Sequence, residues 1–256
     1  SSIKFLYTCQ TPGGFVPNYG ANDGALFFPW SDEYLDYRPQ LDALHRIVNG
    51  GPLYDKDFED TFWWGWNPKP NFKKVTRKDG INQFSIGGYF IIRDFDTLTF
   101  LRAGSHKDRP SQADNLHLDI WIGDDNVIRD SGSYSYNAGE EDLRYFFGTA
   151  SHNTVQLDNY DQMLKGPRFM WFNWTQCKYA KAVRHEDDVF QVEATIEAFK
   201  HIGNSIEHTR SITKKKGEAT WKITDQVVGA NNLNKFQLWH GKEHIIKKID
   251  YSTDCE

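Results

Sequence analysis

Cysteine is scarce in this chain: Cys9, Cys177 and Cys255 are far apart and odd in number. That spacing is not a zinc ribbon and argues against a disulfide framework. A basic surplus is also lacking. Lys and Arg number 30 against 35 Asp and Glu, a formal charge of −5, so no basic face for nucleic acid is expected. An acidic polysaccharide stays open as a partner, because a cleft needs only a few local cations. No apolar run approaches the roughly 20 residues of a bilayer-spanning helix, so no membrane span is expected. Internal repeats and low-complexity stretches are missing as well. The chain opens on Ser1-Ser2 rather than methionine and reads as a piece of a longer protein. The lack of a leader therefore says nothing about export.

What is plentiful is aromatic. Nine Trp, twelve Tyr and eighteen Phe make up 15% of 256 residues. Such side chains suit strands, and any one of them is more readily a core residue than a stacking surface for sugar.

The pattern changes near residue 70. Before it, Leu41, Leu44, Ile47 and Val48 recur at helical spacing, which predicts an apolar helix face. Pro39 sits in the first turn, where its missing N–H costs nothing. Asn49-Gly50-Gly51-Pro52 is a stop. A short helix through Phe58, Phe62 and Trp63 is expected next. The Gly- and Pro-rich stretch 10–30 predicts loop. Residues 67–80, polar with two prolines, read as a linker between helices at 1–66 and a β domain at 81–256.

Beyond the linker the period moves towards two. Strands are expected at Tyr89–Arg93, Thr97–Arg102, Leu116–Ile122, Asn126–Arg129, Thr154–Leu157, Cys177–Arg184, Val189–Ile196, Ser205–Thr213, Thr220–Val228 and Lys235–Trp239. Short strands with turn signals at this spacing predict an antiparallel β-sandwich. Lys214-Lys215-Lys216-Gly217 reads as a solvated hairpin tip.

Polar chemistry concentrates between residues 103 and 155. If 115–122 is one strand, Asn115, His117 and Asp119 share a face while Leu116, Leu118 and Ile120 point into the core. Asp130 follows the next strand and His152 precedes another. Two imidazoles and a carboxylate from separate strands form a common site for a divalent ion such as zinc. The bland alternative is a chance His-x-Asp pair plus core histidines.

Taken together, ADNLHLDIW, VIRDSGSYSYN and ASHNTV, in that order, resemble the β domain of heparinase II/III-like polysaccharide lyases. PNYGANDGALFFP with DYRPQLDAL, then GGYFIIRD and HTRSI, extend the resemblance over roughly residues 4–240. It implies a mainly β fold: a supersandwich-like antiparallel β-sandwich after the last helices of an incomplete α/α toroid. It also implies a structural zinc on His117, Asp130 and His152, with Asp119 orienting an imidazole. The reaction implied is β-elimination at a uronic acid, in the periplasm or outside the cell. Similar lyases take their catalytic Tyr and an Asn or His from the toroid, upstream of this chain. The upstream helical domain is then the partner of this part. Some relatives place a catalytic His two residues before the metal His, where this chain has Asn115. His106, Asn115 and Tyr134 are the catalytic candidates here. Asn18, Tyr19, Asn22, Asp23, Arg109 and Tyr136 are the candidates for binding substrate. Two alternatives stay open: a non-catalytic carbohydrate-binding module, and a metal enzyme of another class. His45, His185, His201, His208, His240 and His244 are expected to be strand or surface histidines.

Overall fold

The computed structural model describes residues 2–20, 22, 33–135, 137–203 and 206–246. Three helices come first: α1 (Ser2–Cys9), α2 (Arg38–Asn49) and α3 (Glu59–Trp64). The Asp36 carboxylate accepts the Arg38 amide at the start of α2. Gly50 ends the helix in the left-handed region at φ 85° and donates to the Arg46 carbonyl at 2.8 Å, a conformation glycine adopts without a steric cost.

The buried face of α2 differs from the expected one. Of the apolar stripe only Leu41 is buried, whereas Leu44, Ile47 and Val48 are 40%, 50% and 54% exposed. Asp42, His45 and Arg46 turn inward instead. Asp42 pairs with Arg46 at 2.7 Å and accepts the Leu53 amide at 2.8 Å. His45 bridges the Gly51 carbonyl, at 2.7 Å, and the Val75 amide, at 3.2 Å. The inward face supplies the hydrogen bonds that the buried loops around it require. Apolar periodicity cannot register that demand. Residues 67–79 form no helix or strand, yet they are strapped down here, with the Lys69 amide donating to Gly50.

Thirteen strands are present among the described residues. β1 (Gly80–Phe84), β2 (Tyr89–Asp94), β3 (Thr97–Arg102), β4 (Leu118–Ile122) and β5 (Asp125–Ile128) make a five-stranded antiparallel meander. β6 (Val155–Leu157) pairs with the last strand, β13 (Lys235–Gln237), and the short β7 (Leu164–Lys165) pairs with β8 (Trp171–Phe172). β9 (Gln176–Arg184), β10 (Val189–Glu197), β11 (Glu207–Lys215) and β12 (Trp221–Val228) make the second antiparallel sheet. Helices α4 (Glu140–Phe147) and α5 (Glu243–Ile246) lie between and after these strands in sequence.

The two sheets enclose one core. Phe90, Ile92, Leu101, Leu118 and Ile120 of the first meet Phe190, Val192, Ala194, Ile196 and Ile212 of the second. The other face of the first sheet is covered too, because Ile91, Leu98, Phe100 and Trp121 pack on Cys9 and Val16. The first sheet is thus buried on both faces, and β2 and β3 are buried almost throughout. β10 has one buried face and alternates strictly, as a strand covered on one side must. The fold is a mainly β sandwich preceded by a few helices, as the sequence predicts. β1, α1 and α4 were not expected.

Two local expectations fail. Leu116 has a left-handed backbone at φ 59°, so residues 115–122 are not one extended run and β4 starts at Leu118. Lys214 is not part of a solvated tip. It is 1% exposed, and its ammonium pairs with Asp94 under the sandwich. The alternation of β11 points it inward.

Candidate metal centre

Three loops at the sandwich end deliver one side chain each. His117 precedes β4, Asp130 follows β5, and His152 follows the 3-10 turn Thr149–Ser151. All three are buried, and one donor atom from each lies within 4.8 Å of the others. His117 Nε2 is 3.6 Å from Asp130 Oδ2, and His152 Nδ1 is 2.8 Å from the same oxygen. His152 Nε2 is buried with no hydrogen-bond partner among the described residues.

Charge couples the group. Burial opposes ionisation of His152, but the Asp130 charge and hydrogen bond outweigh it and hold the ring above the ordinary histidine value. Burial likewise opposes ionisation of Asp130. The two imidazoles and the Gly132 N–H outweigh it and keep that carboxyl below its usual range. The Asn153 amide donates to His117 Nδ1 at 3.0 Å, which leaves the proton of a neutral ring on Nε2, facing Asp130. Loading a cation would displace protons, as coordination to imidazole generally does, and would loosen the Asn153 contact. Two nitrogens and a carboxylate oxygen, sealed from solvent, fit a small divalent ion.

Asp119 lies 3.8 Å from His117 Nε2 and accepts the Asp130 amide at 3.2 Å. Its effect is to hold the Asp130 loop, with less purchase on the imidazole than expected. Burial raises its carboxyl pKa.

The remaining candidates do not converge on this cluster. Asn115 is fully buried, and its amide is spent on Gly104 and Thr175. It cannot face a substrate from there, because the left-handed turn at Leu116 sends it away from His117. His106 is half-buried, with Nε2 sealed and unpartnered among the described residues. Burial first, and then Arg102, push its pKa down to about 4, so the ring is neutral at physiological pH. Tyr134 is exposed and stacks on Phe146 at 5.3 Å. The exposed Arg109 guanidinium lies over the Phe169 ring at 5.3 Å.

Asn18 is buried beside Gly132 in the turn after Asp130, so its loop reaches the metal centre's edge. Tyr19 packs its ring against Phe5, Tyr89 and Phe100, a core role rather than a surface one. Asn22 donates to the Tyr37 hydroxyl at 3.3 Å. Asp23 and Tyr136 lie outside the described residues.

Several supporting residues escaped the sequence. Asn153 binds the Leu118 and Arg129 carbonyls, both at 2.9 Å, and accepts the His240 amide. His240 therefore sits beside the cluster, contrary to its expected surface role. Arg210 on β11 holds the Leu116 and Asn153 carbonyls, one step from each histidine of the buried cluster. The available signal was the pairing of an inward-facing Arg on β11 with Asp225 on β12. His208 is a buried strand histidine bonded to Asp225, within the expected class, whereas His45 is a fully buried helix residue, contrary to the strand or surface place expected of it.

The heparinase II/III-like, C-terminal family matches residues 76–247, more than half of the chain. No curated relative matches. A solved heparinase III is similar at 20% identity and TM-score 0.56, covering 89% of this chain and 32% of that one. The heparan sulfate lyase HepC of Pedobacter heparinus is similar at 17% identity and TM-score 0.58, covering 89% and 32%. Those likenesses are of fold, and the chain spans about a third of either structure's length. The family match takes in all three residues of the buried cluster, and this chain belongs to the heparinase II/III-like family through its C-terminal domain.

Proposed function

We propose that this chain is the C-terminal part of a polysaccharide lyase that cleaves uronic-acid-containing glycans by β-elimination. On this reading it supplies a metal-stabilised sandwich and one wall of the substrate cleft. The observation that carries it is the buried His117–Asp130–His152 group within a domain of this family. Zinc fits the donor set, and its role is structural: it ties the three loops that end β5, begin β4 and follow the 3-10 turn.

β-Elimination requires the uronate carboxylate to be neutralised, the C5 proton removed and the leaving oxygen protonated. The exposed Tyr134 hydroxyl is the candidate here for proton transfer, whereas a sealed His106 nitrogen with a pKa of about 4 is a poor proton acceptor. Arg109, Asn18 and Asn22 are the candidates for the carboxylate and hydroxyls. Asn115 is assigned to scaffolding, since its amide is already engaged. The upstream helical domain would complete the site. A periplasmic or secreted location follows from the same reading. No helix of the described residues is long and apolar enough to cross a membrane.

The full-length parent, incubated with a panel of uronic-acid polymers, should release products with the ultraviolet absorbance of an unsaturated uronate. No such product from any polymer overturns the proposal. A second reading, a non-catalytic carbohydrate-binding sandwich, draws on the exposed Tyr134 ring backed by Phe146. Oligosaccharide binding by this chain, with no elimination by the parent, would favour it.

A further inference from the structure

A second polar site lies where the helices meet the first sheet, and it shares no residue with the metal centre. A cavity of about 150 Å³ is lined there by Tyr7, Gln10, Arg38, Tyr54, Lys56 and Arg77, among others. Among the described residues no acidic side chain lines it. Arg38 is paired with Asp36 at 2.7 Å. Arg77 and Lys56 have no carboxylate partner among the described residues. Arg77 lies over the Tyr7 ring at 4.9 Å, and Lys56 over the Phe58 ring at 5.4 Å.

The cations crowd one another. Arg77 and the buried Arg93 both donate to the Gln10 carbonyl, at 3.3 and 2.6 Å. Burial, followed by the Arg77 charge, lowers the Arg93 pKa to about 10. Gln10 itself is fully buried. Its side-chain oxygen accepts the Tyr54 hydroxyl, while its Nε2 donor has no partner among the described residues. Gly14 has a left-handed φ of 97°, and a side chain there would collide with Arg38. The loop thus leaves Arg38 room at the cavity wall.

The Arg77 guanidinium and the Lys56 ammonium, unmatched by a carboxylate among the described residues, leave the cavity wall with an excess of positive charge. An oxyanion would balance that charge through charge-assisted hydrogen bonds. The volume is well below the roughly 300 Å³ at which pockets begin to hold whole small molecules. It suits one charged group and a few waters. We propose that this cavity binds a single compact oxyanion, a sulfate or carboxylate group, through Lys56 and Arg77, with Arg38 at its wall. The group would be free in solution or carried on an acidic saccharide, and the chemistry of recognition is the same for both.

Isothermal titration of this chain at constant ionic strength tests it, using sodium sulfate, glucuronate and a sulfated uronic-acid oligosaccharide in separate arms. One saturable site per chain is expected in at least one arm. Tighter binding of the oligosaccharide than of sulfate marks a saccharide subsite; sulfate binding alone marks a free-anion site. Arg77→Gln should weaken the observed binding at least tenfold, and Lys56→Gln, at an exposed position where folding is not at stake, severalfold. No saturable binding in any arm overturns the proposal, as does binding that Lys56→Gln and Arg77→Gln both leave unchanged. Lyase activity of the parent enters none of these readouts.

Discussion

Arg210 and Asp225, opposite each other on β11 and β12, form a two-pronged ion pair with both contacts at 2.8 Å. The pair is almost sealed from solvent. The third arm of Arg210 crosses to the Leu116 and Asn153 carbonyls. His208 adds a 2.7 Å contact to the same carboxylate. The second sheet thereby holds the backbone that presents His117 and His152.

Arg210→Met should lower stability by about 3 kcal/mol or more, because it strands a buried carboxylate. It should also weaken metal retention by roughly 10–100-fold, the usual penalty for losing a group that orients ligands. Urea denaturation and metal content of the purified variant check both. Wild-type metal content in a folded Arg210→Met protein would separate this residue from the centre.

Metal removal should lower the melting temperature of the wild-type chain. A ligand at a hundred times its dissociation constant stabilises by about 2.7 kcal/mol. His117→Ala should melt lower and no longer respond to chelator. Elemental analysis of wild type should find one ion per chain. An unchanged melting curve with no bound metal would remove the metal centre.

His106 predicts a pH slope. Its folded pKa is depressed to about 4, against about 6.5 for a free histidine. Between those values the unfolded chain binds more protons, so stability rises with pH. The contribution is fully present above pH 6.5 and is lost as pH falls towards 4. Stability profiles of wild type and His106→Gln should diverge over that window and run parallel outside it. Identical profiles would show the ring to be solvated.

The lysine run of the β11–β12 hairpin should split in its energetics. Lys214→Ala leaves Asp94 buried without its cation and should cost about 3 kcal/mol or more. Lys215, 61% exposed beside Glu218, should tolerate Ala within about 0.5 kcal/mol. Denaturant midpoints of the two variants decide it. Equal losses would mean that Lys214 reaches water.

Local signals carried much of this protein. Alternation in β10, the Gly50 helix stop and the strand pattern from Tyr89 onward are written within a few residues of where they act. Each reflects backbone geometry and one neighbour's burial. The order of His117, Asp130 and His152 along the chain was legible for the same reason, as motifs flanking strands. Partner choice was not. Lys214 meets Asp94 across 120 positions, and Arg210 meets the Leu116 carbonyl across 94. Composition counts such residues as surface charge, and only the approach of two sheets removes their water and forces them to pair. The left-handed turn at Leu116 also belongs to tertiary structure, because nothing local asks a leucine to adopt it. Sequence alone marked most of the longer strands and the side chains that could grip a cation. The packing of sheet on sheet decided which polar groups are sealed in, since desolvation is a property of the assembled fold.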